Sequence, residues 1–255
     1  MKKIMTSFLT IGAIATFSYM YLEANRNRLL HHTLDFPTLP KAFDGYRLFF
    51  ISDVHRRSIS NSLLSSIGHC DAVIIGGDFT ERTVPLQKVE ANLQKLTQLA
   101  DVYFVWGNND VEADQEKLVA LFDKYHVHML ENEVIDLNQE DERIQIVGVK
   151  ALDKPLDHYS FYKKVESPFT ILVSHFPLVR EYLPEEHPFS LLLAGHTHGG
   201  QIRLFGWGLE DLGSLTQKKQ LTTLISNGYG TSLLPLRLGA KSETHLIQLR
   251  NSSSN

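Results

Sequence analysis

Short apolar runs that end in glycine and polar residues alternate with helical patterns through the first half of this chain. Each run has the length and composition of a strand that is buried on both faces of a sheet. The predicted strands are 46–51, 72–75 and 102–106, and the predicted helices are 60–69, 85–99 and 113–125. Because a strand–helix–strand repeat places its strands side by side and parallel, this order predicts an α/β domain.

The second half of the chain is richer in predicted strands than the first. They are 134–137, 143–149, 169–173, 190–194, 201–204, 224–226 and 245–249. The glycine-rich stretch 205–223 has no clear pattern, and we expect a long loop there. We therefore predict one domain over residues 45–250, preceded by a linker over 23–44 and followed by a disordered polar tail over 251–255.

Two histidines, His196 and His198, follow the predicted strand 190–194 in the glycine-flanked motif of residues 195–200. Side chains two residues apart on an extended chain share a face, so the pair has the spacing of two metal ligands. The pair also lies at the carboxyl end of a strand, which is where open α/β sheets bind their ligands. Taken alone, the motif also fits two ordinary histidines that bind nothing.

Four other predicted strands end in the same kinds of residue. These residues are Asp53 and His55 after the first strand, Asp78 after the second, Asn108 after the third and His175 after 169–173. If the strands are parallel neighbours, these side chains converge with the two histidines on one rim. Asp78 and Asn108 precede helices and suit capping, but five strand ends in the same register favour a shared metal site.

The chain resembles the calcineurin-like metallophosphoesterase family in five blocks and in their order. The blocks are Asp53-x-His55, Gly77-Asp78, Gly107-Asn108, His175 and Gly195-His196-x-His198. The resemblance covers residues 53–198 and implies an α/β fold of two mixed β-sheets packed face to face and flanked by helices. Residues 199–204 and 226–230 are similar to a membrane-associated bacterial branch, which includes enzymes similar to UDP-2,3-diacylglucosamine pyrophosphatases.

The resemblance implies two divalent metal ions as cofactors. It assigns Asp53, His55 and His198 to one ion, Asn108, His175 and His196 to the other, and Asp78 as the bridge between them. Mixed nitrogen and oxygen ligands fit manganese, iron or zinc better than calcium or magnesium. The expected reaction is hydrolysis of a phosphoester, with a metal-bound hydroxide attacking phosphorus in line with the leaving oxygen.

The expected catalytic residues are Asp78, Asn108 and Asn109, and the last of these departs from the family pattern. The family usually has a histidine there, which acts as general acid. An asparagine amide forms hydrogen bonds but delivers no proton at neutral pH. Because a general acid matters most for poor leaving groups, we expect a phosphodiester or diphosphate substrate. The alternatives are a phosphomonoesterase and a catalytically inactive scaffold of the same fold.

Three arginines are predicted to bind the substrate. Arg56 and Arg57 directly follow His55, and a guanidinium pairs well with phosphate oxygens; a solvated loop is the alternative. Arg237 is similar to a basic position in the membrane-associated branch.

Residues 1–22 contain two lysines followed by an uncharged run of about the length that crosses a bilayer. We predict an uncleaved single-pass transmembrane anchor and localisation at the cell membrane, on a side that the flanking charges leave open; a secretory signal is the alternative. The expected substrate is a phosphorylated small molecule or a lipid-linked compound. The net charge of −4 argues against nucleic acid as a partner.

Overall fold

The computed structural model describes residues 2–150, 152 and 154–253, and within these it describes every side chain except those of 2–6, 8 and 9. The strands are β1 (Leu29–Phe36), β2 (Arg47–Ile51), β3 (Ala72–Ile75), β4 (Asp101–Phe104), β5 (His128–Met129), β6 (Glu133–Gln139), β7 (Glu142–Val149), β8 (Thr170–Ser174), β9 (Phe189–Ala194), β10 (Ser214–Lys218), β11 (Leu221–Ile225) and β12 (Thr244–Asn251). The α-helices are α1 (Lys2–Ala24), α2 (Asn61–Ile67), α3 (Leu86–Thr97), α4 (Asn108–Glu112) and α5 (Gln115–Lys124).

Within the described residues, the strands form two six-stranded sheets. Their orders are β1-β12-β2-β3-β4-β5 and β10-β11-β9-β8-β7-β6. In the first sheet β2 to β5 are parallel and β12 runs antiparallel to β2. In the second sheet β7, β8, β9 and β11 are parallel, and the edge strands β6 and β10 are antiparallel to their neighbours. The prediction of two mixed sheets is therefore confirmed.

Alternate residues of the buried strands pack into different apolar layers, as the period of two in a strand requires. Phe50 of β2 packs in the layer between the two sheets, which also contains Ile171 of β8. Its neighbour Phe49 packs on the opposite face, in the layer that contains Leu93 of α3. Leu172 of β8 belongs to a third layer outside the second sheet. The two sheets thus form a sandwich with further layers outside.

The register of the parallel strands brings their carboxyl ends level with one another. Ile51 at the end of β2 pairs with Ile75 of β3, which pairs with Phe104 of β4. In the second sheet Ser174 of β8 pairs with Ala194 of β9. Residues that directly follow these strands therefore leave each sheet at one edge, and the candidate site is built from them.

The predicted N-terminal transmembrane helix is wrong. Residues 2–24 do form a helix, α1, but no helix in the described part of the chain is long and apolar enough to cross a membrane. The physical reason is the dilution of the run by hydroxyl side chains, each of which weakens the gain from transfer into hydrocarbon. These residues are Thr6, Ser7, Thr10, Thr16 and Ser18. Met1 lies outside the described residues.

Several element boundaries differ from the prediction. β1 lies within the predicted linker 23–44 and pairs with β12, and β10 lies within the predicted loop 205–223. Residues 201–204 form isolated bridges in place of the predicted strand. Of the predicted tail 251–255, Asn251 ends β12, and residues 254 and 255 lie outside the described residues.

Candidate metal centre

Two overlapping groups of buried side chains lie where the strand ends of the two sheets meet. One group is Asp53, His55 and His198, and the other is Asp53, Asp78 and His175. Within each group the candidate ligand atoms lie within 4.8 Å of one another. Five of the seven predicted ligands, carried by both sheets, therefore lie close together, and Asp53 belongs to both groups.

Asp78 lies between the histidines of the two groups. Its Oδ2 is 3.6 Å from Nε2 of His55 and 3.4 Å from Nε2 of His175. His196 adjoins the second group, with its Nδ1 3.1 Å from Nε2 of His175. The carboxylate of Asp78 thus lies beside histidines from both groups, and its role as a bridge between two ions stays a prediction.

The donor set fits a transition metal or zinc. Nε2 of His55 and Nε2 of His198 face one another at 3.0 Å, and Nε2 of His198 is 3.4 Å from Oδ1 of Asp53. Imidazole nitrogens and carboxylate oxygens that converge at such distances in a buried pocket are the ligands of manganese, iron and zinc sites. The residues present are therefore able to hold such an ion.

The backbone carrying these ligands is left-handed at five positions. Asp53, His55, Asp78, His196 and His198 have φ between 49° and 73°, a region uncommon for residues other than glycine. Such conformations persist where the surrounding structure fixes them, and they cluster at functional sites. The sharp turns after the strands thus aim the side chains inward.

Close backbone approach explains one flanking glycine. A Cβ on Gly195 would lie 2.5 Å from Oδ2 of Asp53, so any larger residue would push the first ligand away. The same turn places the backbone N–H of His196 3.1 Å from Oδ1 of Asp53, to which it donates a hydrogen bond. The second sheet therefore helps to orient a ligand carried by the first.

Neighbouring groups fix the protonation of the ligands. Burial alone would raise the pKa of the Asp78 carboxyl, but its hydrogen bond with His175 and the positive charge there lower that pKa well below the usual range. Burial would lower the pKa of His175, yet Asp78 raises it to about 9. Burial, reinforced by the charge of Arg237, lowers the pKa of His198 to about 4. Asp78 and His175 therefore stabilise each other's charged forms, whereas burial favours the neutral form of His198.

The segment after β4 contacts the centre through Asn109. Its backbone N–H donates to Oδ1 of Asp78 at 2.8 Å, and its side-chain Nδ2 donates to Oδ2 at 2.7 Å. Asn108 begins α4 with an exposed side chain, and its role as a ligand stays a prediction. Asp110, which is buried, accepts hydrogen bonds from the backbone N–H groups of Gly107 and Thr80 and so fixes this segment to the loop after β3.

The three predicted substrate-binding arginines have different surroundings. Arg56 is largely exposed and pairs with Glu81. The guanidinium of Arg57 stacks on the ring of Tyr229, 3.7 Å from its centroid, and donates to the backbone carbonyls of residues 25 and 26. Arg237 is fully buried, and its guanidinium donates to backbone carbonyls of the surrounding loops. Substrate binding by these residues stays a prediction.

The sequence analysis missed Glu81, whose carboxylate lies beside a predicted ligand. Its Oε2 lies 3.3 Å from Nδ1 of His55, and its other oxygen pairs with Arg56. A carboxylate on the second nitrogen of a ligating histidine fixes the tautomer and the direction of the ring. The only sequence signal is its position shortly after Asp78, which no spacing rule identifies.

We expect Glu81→Gln to weaken metal binding about 10–100-fold, because this is the usual effect of removing such a carboxylate. Titration of the metal-free protein with Mn²⁺ or Zn²⁺ measures the change. Glu90→Gln is the matched control, since Glu90 pairs with Lys124 and Tyr125 on the helical surface. Equal metal affinities for the two variants would show that Glu81 has no part in the centre.

A sandwich of two mixed sheets with aspartate and histidine ligands at its strand ends defines a metal-dependent phosphoesterase. The sequence profile of the calcineurin-like phosphoesterase family matches residues 46–200. The chain belongs to this family and is a hydrolase that acts on phosphoester bonds.

Three relatives illustrate the similarity. The chain is 41% identical to the uncharacterized protein YpbG of Bacillus subtilis, over 94% of this chain and 95% of that protein. It is 24% identical to the uncharacterized metallophosphoesterase YkoQ of the same organism, over 96% and 99%. It is 26% identical to the phosphodiesterase YaeI of Escherichia coli, over 94% and 95%.

Proposed function

We propose that the chain is a two-metal phosphoesterase that acts on phosphodiesters or diphosphates. Asp53, His55 and His198 would hold one ion, Asn108, His175 and His196 would hold the other, and Asp78 would serve both. Manganese, iron or zinc suits these ligands. When bound, the ions supply positive charge at the phosphoryl group and lower the pKa of the attacking water.

Groups around the candidate ligands hold their side chains in position. Nδ1 of His175 lies 2.9 Å from the carbonyl oxygen of Gly76, which directs Nε2 into the centre. Oε2 of Glu81 lies 3.3 Å from Nδ1 of His55, on the side of the ring away from the centre. Arg56, largely exposed beside His55, is the arginine whose surroundings best suit a phosphate, because its guanidinium still reaches solvent.

The double contact between Asn109 and Asp78 carries the substrate proposal. Both donors of Asn109 point at the carboxylate, at 2.8 and 2.7 Å. At the position where the family usually has a general acid, this chain thus has a residue that orients a ligand and transfers no proton. The leaving group must then depart without receiving a proton from residue 109. This favours leaving groups whose conjugate acids have a low pKa.

Phosphodiesters with activated leaving groups and diphosphates meet that requirement. The name of the similar Escherichia coli protein, a phosphodiesterase, supports this class. The resemblance of residues 199–204 and 226–230 to the diacylglucosamine pyrophosphatase branch favours a diphosphate within it. A lipid-linked diphosphate and a nucleoside diphosphate sugar are the substrates to compare.

We expect hydrolysis rates to fall steeply as the pKa of the leaving group rises. In an assay with Mn²⁺, bis(p-nitrophenyl) phosphate and diphosphates should be cleaved faster than alkyl phosphomonoesters. Asn109→His should restore part of the general-acid contribution, which is typically about 10²–10⁴-fold, and should flatten the dependence on leaving-group pKa.

Asn109→Ala is the control, because it removes the amide and adds no proton donor. It should slow all substrates alike and leave the slope of the leaving-group dependence unchanged. Faster cleavage of alkyl phosphomonoesters than of activated diesters by the natural chain would contradict the proposal.

A further inference from the structure

A mainly apolar pocket of about 190 Å³ adjoins the candidate metal centre at the end of β8. The short 3₁₀ helix Pro177–Tyr182 forms one of its walls through Leu178, Val179 and Tyr182. Val179 is buried and belongs to the apolar layer outside the second sheet. The floor of the pocket is therefore part of the folded core.

Phe176 is a wall common to the pocket and the metal centre. Its ring lines the pocket and lies 4.5 Å from the ring of His196 and 5.0 Å from that of His175, measured between centroids. Ser174, on the other side of His175 in the chain, also lines the pocket, and its hydroxyl donates to the carbonyl oxygen of Phe176 at 3.1 Å. A group bound in the pocket is thus one aromatic ring away from two candidate ligands.

Among the described residues that line the pocket, Lys150 is the charged one, and it already has partners. Its Nζ lies 3.0 Å from Oε1 of Glu131 and 4.9 Å from the centroid of the Trp106 ring. An ammonium group that is paired with a carboxylate attracts a further anion less than a free one does. The pocket is therefore better suited to apolar surface than to a second phosphate.

The size of the pocket limits what it holds. An apolar cavity of roughly 150 Å³ is enough to bind benzene. A pocket of about 190 Å³ therefore holds one ring with small substituents and is too small for the whole of a long acyl chain. Phe176 and Tyr182 supply aromatic rings, against which a planar ring packs in offset or edge-to-face geometry.

We propose that this pocket is a ring site, which binds one planar aromatic ring of the substrate while the phosphoryl group lies at the metal centre. The ring site presupposes the proposed function and narrows it to esters and diphosphates that have such a ring close to phosphorus. Aryl esters and nucleotides both have this chemistry. Leu178, Val179 and Tyr182 are then specificity-determining residues, because they contact a part of the substrate that is not cleaved.

Calorimetric titration of the Mn²⁺-loaded full chain tests the ring site without requiring turnover. Phenylphosphonate is compared with methylphosphonate, and uridine 5′-monophosphate is compared with ribose 5-phosphate. Within each pair the first compound has a planar ring and the second lacks it. We expect the ring to lower Kd roughly tenfold, the gain from burying one aromatic group. A preference in the first pair identifies an aryl ester, and a preference in the second identifies a nucleotide.

Leu178→Asn removes apolar surface from the pocket without adding charge. Leu178 is 52% exposed, so the fold tolerates the change. We expect the ratio of the two Kd values in the preferred pair to fall roughly threefold, since part of the apolar contact is lost. The ratio is the quantity to compare, because any change in affinity for the phosphate group itself cancels.

Leu215→Asn is the matched control. Leu215 is 42% exposed on β10, which lies three strands from β8 in the second sheet. Because this leucine is remote from the pocket, its replacement should leave the ratio unchanged.

Two results would overturn the ring site. One is equal Kd values within both pairs, and the other is an equal loss of ring preference in Leu178→Asn and Leu215→Asn. Hydrolysis of bis(p-nitrophenyl) phosphate by the natural chain is measured separately. Normal hydrolysis together with either result leaves the proposed function intact, whereas absence of Mn²⁺-dependent hydrolysis contradicts the proposed function itself.

Discussion

Asp78→Asn is expected to lower kcat/KM by about 10³-fold, the largest loss of activity among the ligands. Asp78 lies within 3.6 Å of histidine nitrogens from both candidate groups, so its negative charge serves the whole centre. Asparagine has nearly the same shape but removes the charge and replaces one of the two oxygen acceptors with an N–H donor. Loss of one preorganised electrostatic side chain typically lowers the rate by about 10²–10³-fold. Because Asp78 lies near histidines of both candidate groups, we expect a loss at the upper end of this range.

Two measurements accompany the kinetic one. Metal content per chain should fall together with activity, while circular dichroism should show the fold retained. Asp123→Asn, an exposed carboxylate on α5, is the matched control and should change neither quantity. If Asp78→Asn kept the natural metal content and rate, the centre would lie elsewhere.

The centre was predictable from sequence because its signal is local. Each buried strand is an unbroken apolar run, and the polar residue that follows it is visible in the same short window. β3, for example, occupies the predicted residues 72–75, and Asp78 follows it. Parallel register then brings separate strand ends together without any further information.

The missed strands have no such local signal. In β1, apolar residues are interrupted by His31, His32 and Asp35, and the strand forms by pairing with β12 at the other end of the chain. β10 is exposed along its whole length and pairs only with β11. Strand formation at such positions depends on the neighbouring strand more than on intrinsic preference.

For helix α1 the local signal exists but led to a wrong prediction of a membrane span. The absence of charge between residues 4 and 22 predicts a membrane span when only length is counted. The hydroxyl side chains within that run reduce the apolar gain below what crossing requires. The same helix also buries Glu23, a contact that depends on the folded domain and is invisible in the sequence.

Substitution of Arg237 distinguishes a substrate-binding role from a structural one. We expect Arg237→Met to lower the free energy of unfolding by about 3–5 kcal/mol. The buried guanidinium donates to the carbonyl oxygens of Asn227, Gly230 and His198 at 2.6, 2.7 and 3.1 Å. Methionine fills a similar volume but leaves these acceptors without a donor. Each unsatisfied buried acceptor costs about 1–3 kcal/mol.

Thermal unfolding measures this loss as a fall in Tm of roughly 10 °C for a chain of this size. Arg237→Lys should rescue little, because an ammonium group is a single point and does not reproduce the planar fork that reaches several carbonyls. Arg250→Met, an exposed arginine on β12, is the control and should leave Tm unchanged. If Arg237→Met raised KM and left Tm unchanged, the guanidinium would contact substrate. If it lowered Tm and left the KM of the folded protein unchanged, the role of Arg237 would be to stabilise the loops that hold His198.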